Sequence, residues 1–261
     1  MIRRFLLVLI IPLLAACSAA QPPIAPTPTP MVFQPMLGRG LSFLARQVDA
    51  APGLLHASPE QQDVHWLAPD NLLVEWVLQE ANADELSVTI DTTLQDYAIA
   101  GNGLLEILHG AAVDWPPHAH VETEVAPAIW LASYTGDSVI DDWAGDARLG
   151  FFAALNAANQ DDAGTAQARY AAAMAMFDGA GFARPASDGQ YATADLALAL
   201  LAGERLDQPV NDAIVRRLLA LQTSDGGFAA HYDAAGPADG ADTSTTAYAL
   251  LALYALRQPM Q

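Results

Sequence analysis

The stretch 216–233, RRLLALQTSDGGFAAHYD, decides the reading of this chain. An apolar helical run stops at Gln222, and an acidic residue, two glycines and Phe228 follow. Gly226 or Gly227 can take the left-handed conformation that closes a helix C-terminus, since glycine has no Cβ to clash there. The aromatic just beyond can fold back on the last turn, so Phe228 is expected to wedge between neighbouring units. Upstream, VNDAIVRRLLALQ (210–222) sets Val210, Ile214, Leu218, Leu221 and Gln222 on one side and Asp212, Arg216 and Arg217 on another, an amphipathic surface helix. Pro209 fits its first turn, where a missing N–H costs little. Downstream, TSTTAYALLALYAL (243–256) is apolar all round after its Thr/Ser start. A helix with no polar face must be buried on every side. One helix of the pair is outer, the other inner.

The same pair occurs earlier. Residues 165–203, TAQARYAAAMAMFDGAGFARPASDGQYATADLALALLAG, run through a helix, a DG-containing turn ending in Phe182, a polar loop, a Thr-bearing start and an Ala/Leu helix. Phe182 matches Phe228 at a separation of 46 and Thr193 matches Thr245 at 52, so the second loop is expected to be six residues longer. An outer helix followed by an inner one, twice, is the pattern that stacked repeats require.

RRLLALQTSDGGF followed by TSTTAYALLAL resembles the repeat of the prenyltransferase and squalene-cyclase group, in which a Gln, a Gly pair and an aromatic punctuate an (α/α) toroid. The likeness is good over about 165–256, weak over 70–160 and absent before Leu37. It implies an all-α, (α/α) toroid-like fold with paired outer and inner helices, usually around a central cavity; an irregular helical bundle is the plain alternative. Further helices are expected in WLAPDNLLVEWVLQEA (66–81), opening on Asp70, in DELSVTIDTTLQDYA (84–98), and in DDWAGDARLGFFAALNAAN (141–159), opening on Asp141 or Asp142. About eight or nine helices can be placed against twelve in a complete toroid, so an incomplete or open ring is expected. VDWPPHAHVETEVAP (113–127) cannot begin as a helix because of Pro116 and Pro117, and reads as an extended excursion or short hairpin.

The family's best-known activities do not carry over. Protein prenyltransferases hold zinc with an Asp, a Cys and a His, whereas the only cysteine here is Cys17. The cyclases need DxDD, and the nearest string, Val139 to Asp142, lacks the leading Asp. The thioester stretch of complement-like domains is missing too. No GxGxxG, P-loop or triad spacing occurs, and no cofactor is implied.

The start of the chain supplies an address. MIRRFLLVLIIPLLAAC has two arginines, an apolar run from Phe5 to Ala16 broken by Pro12, and small residues before Cys17, which reads as a secretion signal over 1–16. An uncleaved anchor is the competing reading, although the run is short for a membrane span. LAAC (14–17) resembles the lipobox of bacterial lipoproteins, which implies that Cys17 is acylated and becomes the new N-terminus. The Pro-, Ala- and Thr-rich segment that follows acts as a semi-rigid spacer. Residues 17–36 are thus assigned to the lipidated cysteine and linker and 37–261 to the domain. Removing 1–16 deletes Arg3 and Arg4 and no acid, leaving 9 basic against 30 acidic side chains, a net of −21. Such a surface repels phosphate backbones, so nucleic acid is not an expected partner. The expected location is the extracytoplasmic face of a bacterial membrane, with lipid as partner through Cys17.

Two candidate sites stand out. The loops before the inner helices should open on one rim, carrying Asp188, Gln190 and Tyr191 in one unit and His231, Tyr232, Asp233, Asp239 and Asp242 in the other. Of these Asp188, Tyr191, His231, Tyr232, Asp239 and Asp242 form the candidate ligand set. Aromatic faces can stack on sugar rings while carboxylates accept hydroxyl hydrogen bonds, and paired carboxyls can support glycoside chemistry. Asp and Thr at such positions also act as N-caps. In HAHVETE, His118, His120, Glu122 and Glu124 alternate, so a strand would put all four on one face as a candidate zinc set; a solvated polar face explains the same pattern. The expected function is a surface-tethered domain that binds a saccharide or other polymer in a central cleft or serves as a scaffold. The alternative is a polysaccharide hydrolase or lyase of toroid type.

Overall fold

The computed structural model describes residues 33–61, 66–183 and 189–257. The signal segment, Cys17 and Asp188 lie outside them. The molecule is mostly helical, with about half the chain in nine helices among the described residues, but it also carries small sheets, which corrects the all-α expectation. No described helix is long and apolar enough to cross a membrane.

The helices divide by burial. In α7 (Thr193–Arg205) every residue from Thr193 to Gly203 is buried, and in α9 (Thr243–Arg257) every residue from Thr243 to Tyr254 is, except Ser244. In α5 (Ala147–Asn159) everything from Ala147 to Ala157 is buried except Arg148. With α2 (Ala68–Glu80) these are the inner helices: α5 packs on α7, α7 on α9 and α9 on α2. Each has an outer partner. Those partners are α3 (Asp84–Asp96) on α2, α6 (Ala163–Met174) on α5, and α8 (Asp212–Ala220) on α7. The outer partner of α9, the last helix among the described residues, is α1 (Phe33–Arg46), the first of them.

That last pairing follows from α1's own sequence. Phe33, Leu37, Gly40, Phe43 and Leu44 are buried, one stripe at helical spacing. Gly40 permits the close approach, since a Cβ there would sit 2.6 Å from Leu250 Cδ2 of α9. At the far end, with the Gln34 amide oriented to present its oxygen, Arg257 donates to it at 3.0 and 3.1 Å. Phe33 is 2% exposed, so packed helix begins within the stretch 17–36.

The turn at 222–228 now has its reason. Gly226 has φ +98°, and Phe228 is fully buried with its N–H donating to Thr246 Oγ1 at 2.9 Å. Gln222 Nε2 donates both to Gly226 O (2.9 Å) and to Met36 O on α1 (2.8 Å). The motif therefore closes α8 and clamps the first helix of the chain with one amide. In the earlier unit Asp178 Oδ1 accepts from the N–H groups of Ala180 and Gly181, and Phe182, 1% exposed, meets Phe151 edge-on at 5.2 Å.

Short strands collar the starts of the inner helices. β1 (Trp66–Leu67) runs parallel to β3 (Ile129–Ser133), which pairs antiparallel with β2 (Val121–Ala126). This confirms the hairpin expected near 113–127. β4 (Tyr191–Ala192) pairs with β6 (His231–Tyr232), and β5 (Phe228–Ala229) with β7 (Ala241–Asp242). Thr193 N–H, at the start of α7, donates to Ala230 O, and Thr243 N–H, at the start of α9, to Ala57 O. The equivalent threonines are therefore Thr193 and Thr243, 50 apart, and the second loop is four residues longer, not six. The gap beside α2 and α5 is filled by β3 on α2 and α4 (Leu105–Leu108) on α5.

Two helix starts differ from expectation. α5 begins after Asp146, whose carboxylate accepts from Leu149 N–H at 3.1 Å, while Trp143–Gly145 forms a 3-10 turn, so Asp141 and Asp142 are not caps. α2 has no side-chain cap, its first turn being set by Pro69, so Asp70 is free for other work.

Candidate cleft at the starts of the inner helices

The chain enters each inner helix at the same end of the molecule, and there a cleft of about 600 Å3 opens between Ser58, Glu60, Asp70, Asp239, Asp242 and Ser244. A smaller cavity of about 160 Å3 lies next to it, walled by Asn102, His120, Tyr134, Arg148 and Tyr248. Leu67, Asp70 and Ser244 line both. The two exceptions to complete burial, Arg148 in α5 and Ser244 in α9, are thus the points where buried helices touch this space.

Each polar group arrives on the first turn or two of an inner helix: Asp70 on α2, Arg148 on α5, Asp195 on α7, Ser244 and Tyr248 on α9. Arg148 Nε donates to Asp195 Oδ1 at 2.8 Å, joining α5 to α7; the Asp195 side chain is 1% exposed and that of Arg148 is 29% exposed. Burial alone would lower the guanidinium's pKa, but Asp195, through its charge and hydrogen bond, together with Tyr248 and Asp146 more than offsets it, and the side chain stays cationic. Tyr248 is 8% exposed, and its hydroxyl has no hydrogen-bond partner among the described residues. Burial pushes its pKa up, so it remains a neutral donor at the cavity wall.

Asp70 has the most altered chemistry. Dense protein around its carboxyl, reinforced by the negative charge of Asp242, raises its pKa to about 8. No hydrogen bond holds the carboxyl among the described residues. Asp242 is raised too, chiefly by burial, but Thr245 N–H (2.6 Å), Thr245 Oγ1 (3.0 Å) and Ser244 Oγ (3.2 Å) all donate to it and restrain that rise. Burial thus favours the protonated form at both carboxyls, and at Asp70 no hydrogen bond among the described residues opposes it.

The expected ligand set is only partly assembled. Asp239 and Asp242 line the cleft, and exposed His231 reaches it through Nδ1···Asp239 Oδ2 at 2.6 Å. Asp242 also caps α9, so both readings of that residue hold together. Tyr191 and Tyr232 do not line the cleft. Their rings stack on one another at 5.3 Å, Tyr191 donates to Asp178 Oδ2 and Tyr232 to Ala180 O. Tyr232 is fully buried, with the Arg217 guanidinium 5.7 Å from its ring centroid. The pairing of β4 with β6 turns these rings onto each other, where they join neighbouring units.

The candidate metal set is not brought together as one. β2 begins only at Val121, so His118 and His120 precede the strand. His118 Nδ1 lies 2.6 Å from Gly136 O, Glu124 accepts from Ala128 N–H, and His120 meets the Tyr134 ring edge-on at 5.6 Å. Among the described residues no group of three His, Cys, Asp or Glu could hold a metal ion. His120 belongs to the inner cavity instead.

Asp70, Arg148, Asp195 and Tyr248 were missed by sequence reasoning. A signal for Arg148 and Asp195 existed: a charged residue in the first turn of a helix otherwise apolar on nearly every side must face a cavity or a partner. Family models, curated proteins and solved structures, each compared with the chain, provide no match.

Proposed function

We propose that this protein is an extracytoplasmic, lipid-anchored domain of (α/α) toroid type that binds a saccharide or another hydroxyl-rich polymer in the cleft at the starts of its inner helices. The lipobox-like LAAC and the Pro-rich segment after Cys17 support the anchor. The outer partner found for every inner helix, with the first helix completing the last pair, supports the toroid. The observation that carries the ligand class is the polar cleft and the cavity beside it, where Asp70 lines both and the Tyr248 hydroxyl and the charge-compensated Arg148 line the cavity. Such groups match hydroxyls. An anionic polymer would meet repulsion from a net charge of −21 unless a divalent cation bridged the two.

Affinity electrophoresis and calorimetry with soluble laminarin, xylan, galactomannan and amylose test the reading. Binding to at least one neutral glycan is expected, weakened about 5-fold or more by Tyr248→Phe with the melting temperature nearly unchanged. No binding to any of them would refute the ligand class. Fatty-acid labelling of cells tests the anchor: label on the wild type and none on Cys17→Ala is the expected result. The hydrolase or lyase reading is favoured by one observation, the protonated Asp70 beside a second carboxyl.

A further inference from the structure

Resting on the glycan-binding reading, we propose that the cleft hydrolyses glycosidic bonds, with Asp70 as the acid that protonates the departing oxygen and Asp242 as the base that activates the attacking water. Both carboxyls line the 600 Å3 cleft, from opposite elements: Asp70 in the first turn of α2 and Asp242 at the end of β7. Tyr248, more than nine-tenths buried and without a hydroxyl partner among the described residues, faces the adjoining cavity that Asp70 also lines. A tyrosine hydroxyl without a protein partner is free to donate to a ligand hydroxyl seated there. Arg148 adds donors without net charge because Asp195 balances it.

The division of labour follows from the hydrogen bonds. Asp70 accepts none, so nothing anchors its charged form and its proton is free to leave toward a ligand oxygen. The charge of Asp242 keeps that proton in place until it is needed. Asp242 is held by three donors that fix its direction, which suits a group that takes a proton from water better than one that must bond to carbon. In the reaction the bond from anomeric carbon to glycosidic oxygen breaks, and the Asp70 proton passes to that oxygen, releasing one sugar as an alcohol. A water oxygen bonds to the anomeric carbon and its proton goes to Asp242. Asp70 is left ionised and Asp242 protonated, and proton exchange through the open cleft restores the starting state. Around Asp70 the charged and titratable groups lining the two spaces are Asp242 and Tyr248 on the α9 side, Glu60 and Asp239 across the cleft rim, His120 and Tyr134 beside the sheet, and Arg148 from α5.

The experiment measures reducing-end release from the same four glycans and from 2,4-dinitrophenyl glycosides, whose leaving group needs no acid. Asp70→Asn is expected to lose about 100-fold or more on the glycan and less than about 10-fold on the dinitrophenyl substrate, whereas Asp242→Asn loses on both. Asn also caps helices, so Asp242→Asn keeps α9 intact. Wild-type protein that binds a glycan but releases no reducing ends from any substrate would overturn the hydrolytic proposal and leave the binding reading standing. Absence of binding and cleavage together would remove both. Equal losses by Asp70→Asn on the two substrate kinds would overturn its role as the acid.

Discussion

At the scale of single residues, Asp70 offers a test that needs no ligand. Between about pH 4 and pH 8 the carboxyl is ionised in the unfolded chain but protonated in the folded one. Folding then takes up a proton, so stability falls as pH rises through this window, and the loss is complete above about pH 8. Asp70→Asn removes the titration. The variant's advantage over the wild type is expected to grow from near zero at pH 4 to a plateau above pH 8, worth about 2–4 kcal/mol after allowance for solvent at the cleft. Urea melts across that range measure it, and a flat difference would show that the carboxyl is well solvated. Gln222 offers a second test. Its amide makes three hydrogen bonds, donating to Met36 O and Gly226 O and accepting from Arg39 Nη2, so Gln222→Ala should cost about 1–3 kcal/mol. Glu at the same position keeps the acceptor for Arg39 but loses the donor to both carbonyls, and should rescue only part of the loss.

At the scale of helices, the contact of α1 with α9 depends on a missing side chain. Gly40→Ala places a methyl 2.6 Å from Leu250 Cδ2, and a cost of about 1–3 kcal/mol is expected. Leu250→Ala alone costs about 2–5 kcal/mol through the void it leaves. The double variant should be more stable than the sum of the two losses, because the new methyl occupies part of that void; strict additivity in thermal melts would deny the close approach. Helices were also what the sequence made most legible. A periodic stripe at 210–222 and an unbroken apolar run at 243–256 announce an outer and an inner helix, since burial of a helix face is written locally. The N-terminal α1 and the cleft were not legible in this way. The stripe from Phe33 to Leu44 lies next to a Pro-rich segment and finds its seat more than 200 residues later in the chain. The fate of Tyr191 and Tyr232 was hidden for a similar reason: whether an aromatic beside a loop faces a ligand or another ring depends on strand register between units. Asp70 looked like an ordinary cap until Pro69 proved sufficient to start α2.

At the scale of the whole molecule, the two ends of the folded region lie side by side, with Gln34 and Arg257 in contact. A circular permutant that joins 257 to 33 through a short Gly/Ser bridge and opens the chain between Gln208 and Pro209, in the exposed connection of α7 to α8, should keep the α1–α9 pair and the cleft. Its melting temperature is expected within about 5 °C of the parent. Deletion of 33–46 should instead uncover α9 and give an aggregating protein, readily seen by light scattering. The α1–α9 pair also sets an order of events. α1 is made about 200 residues before α9, so Phe33, Leu37, Phe43 and Leu44 travel without their seat until residues 243–257 have been made. A chain halted between the two helices keeps that stripe bare, which makes such a truncated product a substrate for quality-control proteases.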